Sequence, residues 1–276
     1  MGELPATHPG VSTSVYDLME CSCGLVFVSP APSSEDLRRI YQGGGQFGEG
    51  TVHRAEEHER VALRYLQHSL SSLIVHLGCD DEPLRVLEIG AGLSWMARVA
   101  KQLDRPSVTV AQDISAEVVD ECPWVDHYVV ADLDDRRFDG LAPFHVVSMT
   151  HVIEHLLDPI ATMVRAAQLM SSNGCLFVTA PHRPPGWHPG GSVEPWVGWS
   201  YNHTPGHLQY FDRASMARAA QEAGLALAAW NDEHEDGQAF EAWLEPVGAA
   251  ARRRPAGRPR RIVRGVRRRL ATVRRA

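Results

Sequence analysis

Lysine is almost absent from this chain: Lys101 stands alone among 276 residues, so arginine supplies nearly all of the positive charge. We read that as coding bias and attach no chemistry to it. Long apolar runs are also missing. Stretches such as Phe144–Met149 and Cys175–Ala180 fall far short of the roughly 20 apolar residues that a membrane helix needs. The first ten residues, MGELPATHPG, have neither a basic start nor an apolar centre, so no secretory leader is expected. Cysteine is scarce as well. Cys21, Cys23, Cys79, Cys122 and Cys175 form an odd, scattered set, which argues against a disulfide framework and makes the cytoplasm the expected compartment.

The charge that is present is unevenly placed. The net charge is −7, yet residues 252–276 hold twelve arginines and no acidic side chain. An acidic body is a poor match for a broad nucleic-acid face, so no specific nucleic acid is expected as a partner. Within the tail, Ile262, Val266, Leu270 and Val273 recur at helical spacing among the arginines. That pattern suits weak contact with an anionic surface. Gly265, Pro255 and Pro259 weaken the helix, and a solvated tail or nucleic-acid contact are the other readings.

Regular alternation dominates the middle of the chain. Strands are expected at Leu84–Ile89, Ser107–Gln112, Asp126–Ala131, Phe144–Met149 and Cys175–Ala180, with helices near Ser94–Leu103, Ala116–Glu121 and Pro159–Met170. Short buried strands alternating with helices imply βαβ units around a mostly parallel sheet. A long helix is expected over Glu56–Leu77, and another over Ala214–Ala223. Leu225–Trp230 and Ala239–Val247 then read as a closing pair of strands, one of them antiparallel in the sheet. We divide the chain into an N-terminal appendage (1–54), an α/β domain (55–248) with a long loop (181–210), and a basic tail (249–276). In the appendage, Leu25–Val28 reads as a strand, and a short helix runs from Ser33 or Ser34 to Tyr41. Gly43, Gly44 and Gly45 then break the chain.

The most informative segment is Glu88-Ile89-Gly90-Ala91-Gly92-Leu93-Ser94. A buried strand ends at an acid, passes through a Gly-x-Gly turn and opens a helix. Glycines there permit a tight turn and a close approach of backbone to a ligand. An acid directly before the turn would repel a pyrophosphate and suits a cationic ligand. Ser94 stands where dinucleotide sites place a third glycine. Two more acids follow at strand ends: Asp113, 25 residues after Glu88 and placed to accept ribose hydroxyls, and Asp132 on the next strand. Ligands in such sheets lie across the carboxyl ends of the strands.

These residues, with Phe144–Pro159 (FHVVSMTHVIEHLLDP), Cys175–Pro181 and Gly206–Phe211 (GHLQYF), resemble the class I S-adenosylmethionine-dependent methyltransferases. The likeness spans about residues 16–247. It is nearest to the broad subgroup containing ubiquinone-type O-methyltransferases and bacterial sugar and natural-product methyltransferases. The resemblance implies a Rossmann-like α/β fold with helices on both faces. S-adenosyl-L-methionine is then the implied cofactor, bound by Glu88, Gly90, Ala91, Gly92 and Ser94 at its methionine end. Asp113 would meet the ribose and Asp132 the adenine, and Ile114, Leu133 and Thr150 would complete the set.

The acceptor side is read from residue types. A hydroxyl acceptor needs a base, and histidine titrates near neutrality. His151, His155, His203 and His207 are the candidates, with His151 preferred for its place after the fourth strand and His207 second. Trp187, Trp196, Trp199 and Tyr201 lie in a proline-rich loop and would form a stacking wall for a sugar or planar ring, or else pack to hold that loop. His151-x-x-Glu154-His155 also has the spacing of a helical zinc site, but its position after a parallel strand speaks against that. Cys21-x-Cys23 supplies only two of the four sulfurs of a structural zinc site. No metal is expected. The sequence therefore points to methyl transfer onto a small-molecule acceptor, probed first at oxygen in a saccharide or natural-product scaffold. Carbon or nitrogen acceptors are the alternative. A binding protein with a vestigial fold, acting through the tail at a membrane or nucleic acid, is the rival from another class.

Overall fold

A computed structural model describes residues 1–7, 12–42, 55–79, 82–234 and 237–249. The glycine run 43–45 and the basic tail, with the helical pattern read in it, lie outside the described residues. Among those described, no helix is long and apolar enough to cross a membrane.

The described residues make eleven strands and six α-helices: β1 Gly2–Pro5, β2 Val15–Glu20, β3 Val26–Ser29, α1 Ser34–Gln42, α2 Ala55–Leu77, β4 Leu84–Ile89, α3 Trp95–Gln102, β5 Ser107–Asp113, β6 His127–Val130, α4 Arg137–Leu141, β7 Phe144–Thr150, α5 Pro159–Leu169, β8 Met170–Pro181, β9 Gln209–Tyr210, α6 Arg213–Glu222, β10 Leu225–His234 and β11 Ala239–Pro246. Seven strands form one sheet in the order β10-β11-β8-β7-β4-β5-β6. From β8 to β6 all neighbours are parallel, whereas β11 runs antiparallel to β8 and to β10. The expected helix at Ala116–Glu121 is only a 3-10 turn at Val119–Glu121, and α4 was not expected from the sequence pattern.

Successive side chains of the central strands enter opposite cores, as the period of two requires. Leu87, Val147 and Val178 join α5 and α6 on one face, through Met163, Leu169 and Met216. Val86, Val146 and Phe177 join α2 and α3 on the other, through Leu66, Leu70, Leu73, Met96 and Val99. Both faces are covered, which is why these strands read as apolar runs and not as alternation. Two acids of β11 face α2 and are buried there. Glu241 accepts from the Tyr65 and Ser69 hydroxyls and from Trp243 Nε1, and Glu245 pairs with His76 Nε2 at 2.6 Å.

A second, smaller body is built from the two segments that the sequence left apart. Strands β1, β2, β3 and β9 form an antiparallel sheet in that order. Its core holds Leu4, Tyr16, Leu18, Val26, Val28, Leu37 and Ile40 from the appendage, and Trp187, Trp196, Trp199, Leu208 and Tyr210 from the long loop. The Cys21–Gly24 turn joins β2 to β3, with Cys21 N–H donating to the Leu25 carbonyl at 2.8 Å.

Candidate active site

The carboxyl ends of β4, β5 and β7 meet at one edge of the large sheet, and the Gly-x-Gly turn lies between them. Gly90 has φ +60, and a Cβ there would come within 2.6 Å of Val152 Cγ2. Only glycine fits that close approach. Gly92, at φ +47, has open space where its Cβ would stand.

Ser94 also adopts the left-handed region, at φ 52, which accounts for glycine being usual at this point of such turns. The serine is held there by its own hydroxyl, which donates to Glu88 Oε2 at 2.8 Å. Glu88 also accepts the N–H groups of Met96 and Ala97 at 3.3 and 3.2 Å, in the first turn of α3. The structure thus places Glu88 beneath the glycine turn, buried, with both oxygens engaged by the helix start. Burial raises its pKa to about 7, against the downward pull of Ser94 and the two amides.

Asp113 ends β5. Its Oδ2 accepts from Gly92 N at 2.9 Å and its Oδ1 from Ser115 N at 2.9 Å. Next to it, Ile114 is 64% exposed, an unusual position for a large apolar side chain. Asp132 is exposed and Leu133 half-buried at the end of β6, while Ala91 is buried in the turn, its N–H donating to the Gln112 carbonyl at 2.9 Å. One residue was missed by sequence reasoning. Gln112 is buried, and its amide bridges the turn to β6: Gly90 N–H donates to Oε1 at 3.1 Å, and Nε2 donates to the Ala131 carbonyl at 2.7 Å. A polar residue closing an apolar strand was the available signal.

Thr150, expected among the cofactor residues, ends β7, and its Oγ1 is buried without a hydrogen-bond partner. His151 follows at φ 53, a backbone conformation uncommon for a residue with a side chain. The His151–His155 segment is not an α-helix. It turns sharply at His151 and continues as a 3-10 turn at Ile153–His155, so the one-face geometry of a helical His-x-x-Glu-His site does not arise. The 3-10 turn is instead laced to the end of the long loop. Leu208 N–H donates to the Glu154 carbonyl at 2.7 Å, and Gln209 Nε2 reaches the carbonyls of Ile153 and Leu156 at 3.0 and 2.9 Å.

That lacing brings the four candidate histidines into one cluster. His151 is 29% exposed and stacks on Tyr201 at 6.0 Å between ring centroids. His155 and His207 lie 4.7 Å apart, and His203 lies 4.9 Å from His207. His155 Nδ1 meets the Gly206 carbonyl, and His207 Nδ1 the Tyr201 carbonyl, both at 2.8 Å. Glu154 is fully buried among them. His151 Nδ1 is 3.5 Å and His155 Nε2 3.9 Å from its Oε1, and neither of its oxygens accepts a hydrogen bond. Of the four aromatic residues assigned to the acceptor wall, Trp187, Trp196 and Trp199 are buried in the second core, edge to face with one another. Tyr201 is half-buried and touches His151 and Trp199.

Comparisons with known proteins agree with this architecture. The chain is similar in fold to the Burkholderia thailandensis 1,6-didemethyltoxoflavin-N1-methyltransferase with bound 1,6-didemethyltoxoflavin and S-adenosylhomocysteine, at 14% identity and a TM-score of 0.54, over 86% of this chain and 96% of that one. It is similar in fold to CalO1, a methyltransferase in calicheamicin biosynthesis in its SAH-bound form, at 17% identity and TM-score 0.50, over 78% and 61%. LepI in complex with SAM matches at 11% identity and TM-score 0.50, and there the chain spans only 46% of the other's length. A comparison with curated proteins gives no match. The family model described as a methyltransferase domain covers residues 62–229, more than half of the sequence. On that match, and with a seven-stranded sheet in the order β10-β11-β8-β7-β4-β5-β6, the chain belongs to the methyltransferase domain family.

Proposed function

We propose that this protein uses S-adenosyl-L-methionine to methylate a hydroxyl of a small molecule, a saccharide or natural-product scaffold, with His151 as the base. The residues at the sheet edge fit the cofactor on features of this structure. Gly92 leaves open space above the turn, Thr150 Oγ1 is an orphaned polar atom beside it, and Ile114 offers an exposed apolar surface to a flat ring. The backbone of Gly90–Gly92 would hold the methionine end, with the Glu88 carboxylate behind it favouring a cation. Asp113 has two oxygens and about four acceptor directions, two of which are used by Gly92 and Ser115. The remainder suit the ribose hydroxyls. Asp132 and Leu133 would meet the adenine. When bound, the cofactor supplies a methyl group already activated on a sulfonium.

What remains for the chain is to orient the acceptor, exclude water and accept a proton. The observation that carries the assignment of the base is the position of His151: it follows Thr150 at the end of β7, in a turn at φ 53 that leaves its ring partly exposed and stacked on Tyr201. His155 and His207 are more buried and tied by Nδ1 to carbonyls, so they suit holding roles better. Trp187, Trp196 and Trp199 are then the support of the acceptor loop, with Tyr201 as its member nearest the base.

The test pairs calorimetry of S-adenosylmethionine binding with mass spectrometry of hydroxylated acceptors incubated with a labelled methyl donor. His151→Ala is expected to lower turnover by ~10²–10⁴-fold while leaving cofactor affinity within about twofold. Near-normal turnover in that variant refutes the histidine base. An amine or carbon acceptor then becomes the leading reading.

A further inference from the structure

Among the described residues, one cluster of three His, Cys or carboxylate donors stands close enough to share an ion: Glu154, His155 and His207, whose donor atoms all lie within 4.8 Å of one another. We infer that this cluster is a binding site for a divalent transition-metal ion of the zinc type, clasping the long loop to the cofactor domain. The inference does not depend on the proposed methyl transfer.

Three observations carry it. The first is Glu154. Its side chain is fully buried, yet neither carboxylate oxygen accepts a hydrogen bond. A buried carboxylate with no donor is costly unless a cation compensates it. The second is the state of the two imidazoles. A neutral ring whose Nδ1–H donates to a carbonyl carries its lone pair on Nε2. Both rings are set in that way, by the carbonyls of Gly206 and Tyr201 at 2.8 Å. Fixing the tautomer through the other ring nitrogen is how metal-ligating histidines are oriented.

The third is spacing. His155 Nε2 lies 3.9 Å from Glu154 Oε1, too far for a proton to bridge as a hydrogen bond. Two bonds of ~2.0–2.2 Å to one ion span up to ~4 Å. Two imidazoles and one carboxylate are a recognised ligand set for zinc, with a further position left to a water or an acceptor oxygen. The ligands come from both partners of the junction: Glu154 and His155 follow β7, and His207 closes the loop packed on the second core. An ion there would fasten the two bodies together at the edge of the cofactor site.

The test uses the full chain, stripped with a chelator and titrated with zinc alone against a chromophoric competitor. One tight equivalent per chain is expected. Glu154→Gln and His207→Gln should each weaken it beyond the ~10–100-fold typical of losing a partner that only supports a ligand. The double variant Cys21→Ser/Cys23→Ser should retain it. X-ray absorption at the zinc edge on the unaltered chain should show nitrogen and oxygen neighbours and no sulfur, which keeps the inference testable if a substituted chain folds poorly. No stoichiometric uptake overturns it, as does uptake insensitive to Glu154→Gln and His207→Gln, or sulfur ligation that disappears with the cysteine pair.

Discussion

Ser94 offers a quantitative check on how the cofactor turn is held. Its φ of 52 should cost a side-chain-bearing residue about 1–2 kcal/mol relative to glycine. Its hydroxyl repays this through the bond to the buried Glu88 carboxylate, at 2.8 Å, and such a bond to a charged group contributes about 1.5–3 kcal/mol. Ser94→Ala keeps the strain and loses the bond, so destabilisation of about 2 kcal/mol is expected. Ser94→Gly loses the same bond but releases the strain, so its loss should be no more than about 1 kcal/mol.

The difference should also depend on pH. Burial raises the Glu88 pKa to about 7, above its ordinary value in an unfolded chain. The group's stabilising contribution is therefore complete below about pH 4.5 and declines as pH rises through about 7. The Ser94 hydroxyl opposes that decline, because it favours the ionised carboxylate. Its removal should thus be felt more at pH 8 than at pH 5. Denaturant unfolding of the three chains at both pH values is the assay. Equal stability of the Ala and Gly variants, or a deficit that is larger at pH 5, would refute the account of the turn.

Asp113→Ala is expected to weaken S-adenosylmethionine binding by about 3–6 kcal/mol before compensation, for two charge-assisted hydrogen bonds to the ribose. Unchanged affinity by titration calorimetry would remove the ribose assignment. Trp196 is fully buried between Trp187, Trp199 and Tyr210, so Trp196→Ala should cost about 3–5 kcal/mol. Limited proteolysis should then cut first within residues 182–208, and a cleavage pattern like that of the unaltered chain would contradict a shared second core.

The large sheet was legible because its order is local. Each central strand is a short apolar run followed by a helix, and a strand buried on both faces needs no partner to announce itself. Leu84–Ile89 was bounded correctly from its residues alone, and the Glu88–Ser94 turn was legible because only glycine tolerates Val152 at Gly90. Of the small sheet only β3 was legible, as Leu25–Val28. β1 has one buried residue, Leu4, and β2 only two, Tyr16 and Leu18. β9 is two residues long and exists only because β3 pairs with it.

The histidine cluster shows the same division. The sequence marked His151, His155, His203 and His207 by residue type, and it offered His151 with His155 as partners on a helix that does not form. Which of them meet was decided by hydrogen bonds between residues about fifty positions apart, from Leu208 to Glu154 and from Gln209 to Ile153. Local propensity carries no information about such bonds. The burial of Glu154 without a hydrogen-bond donor likewise depends on the loop that covers it, so only the tertiary structure could turn a familiar motif into a cluster of imidazoles around one buried carboxyl group.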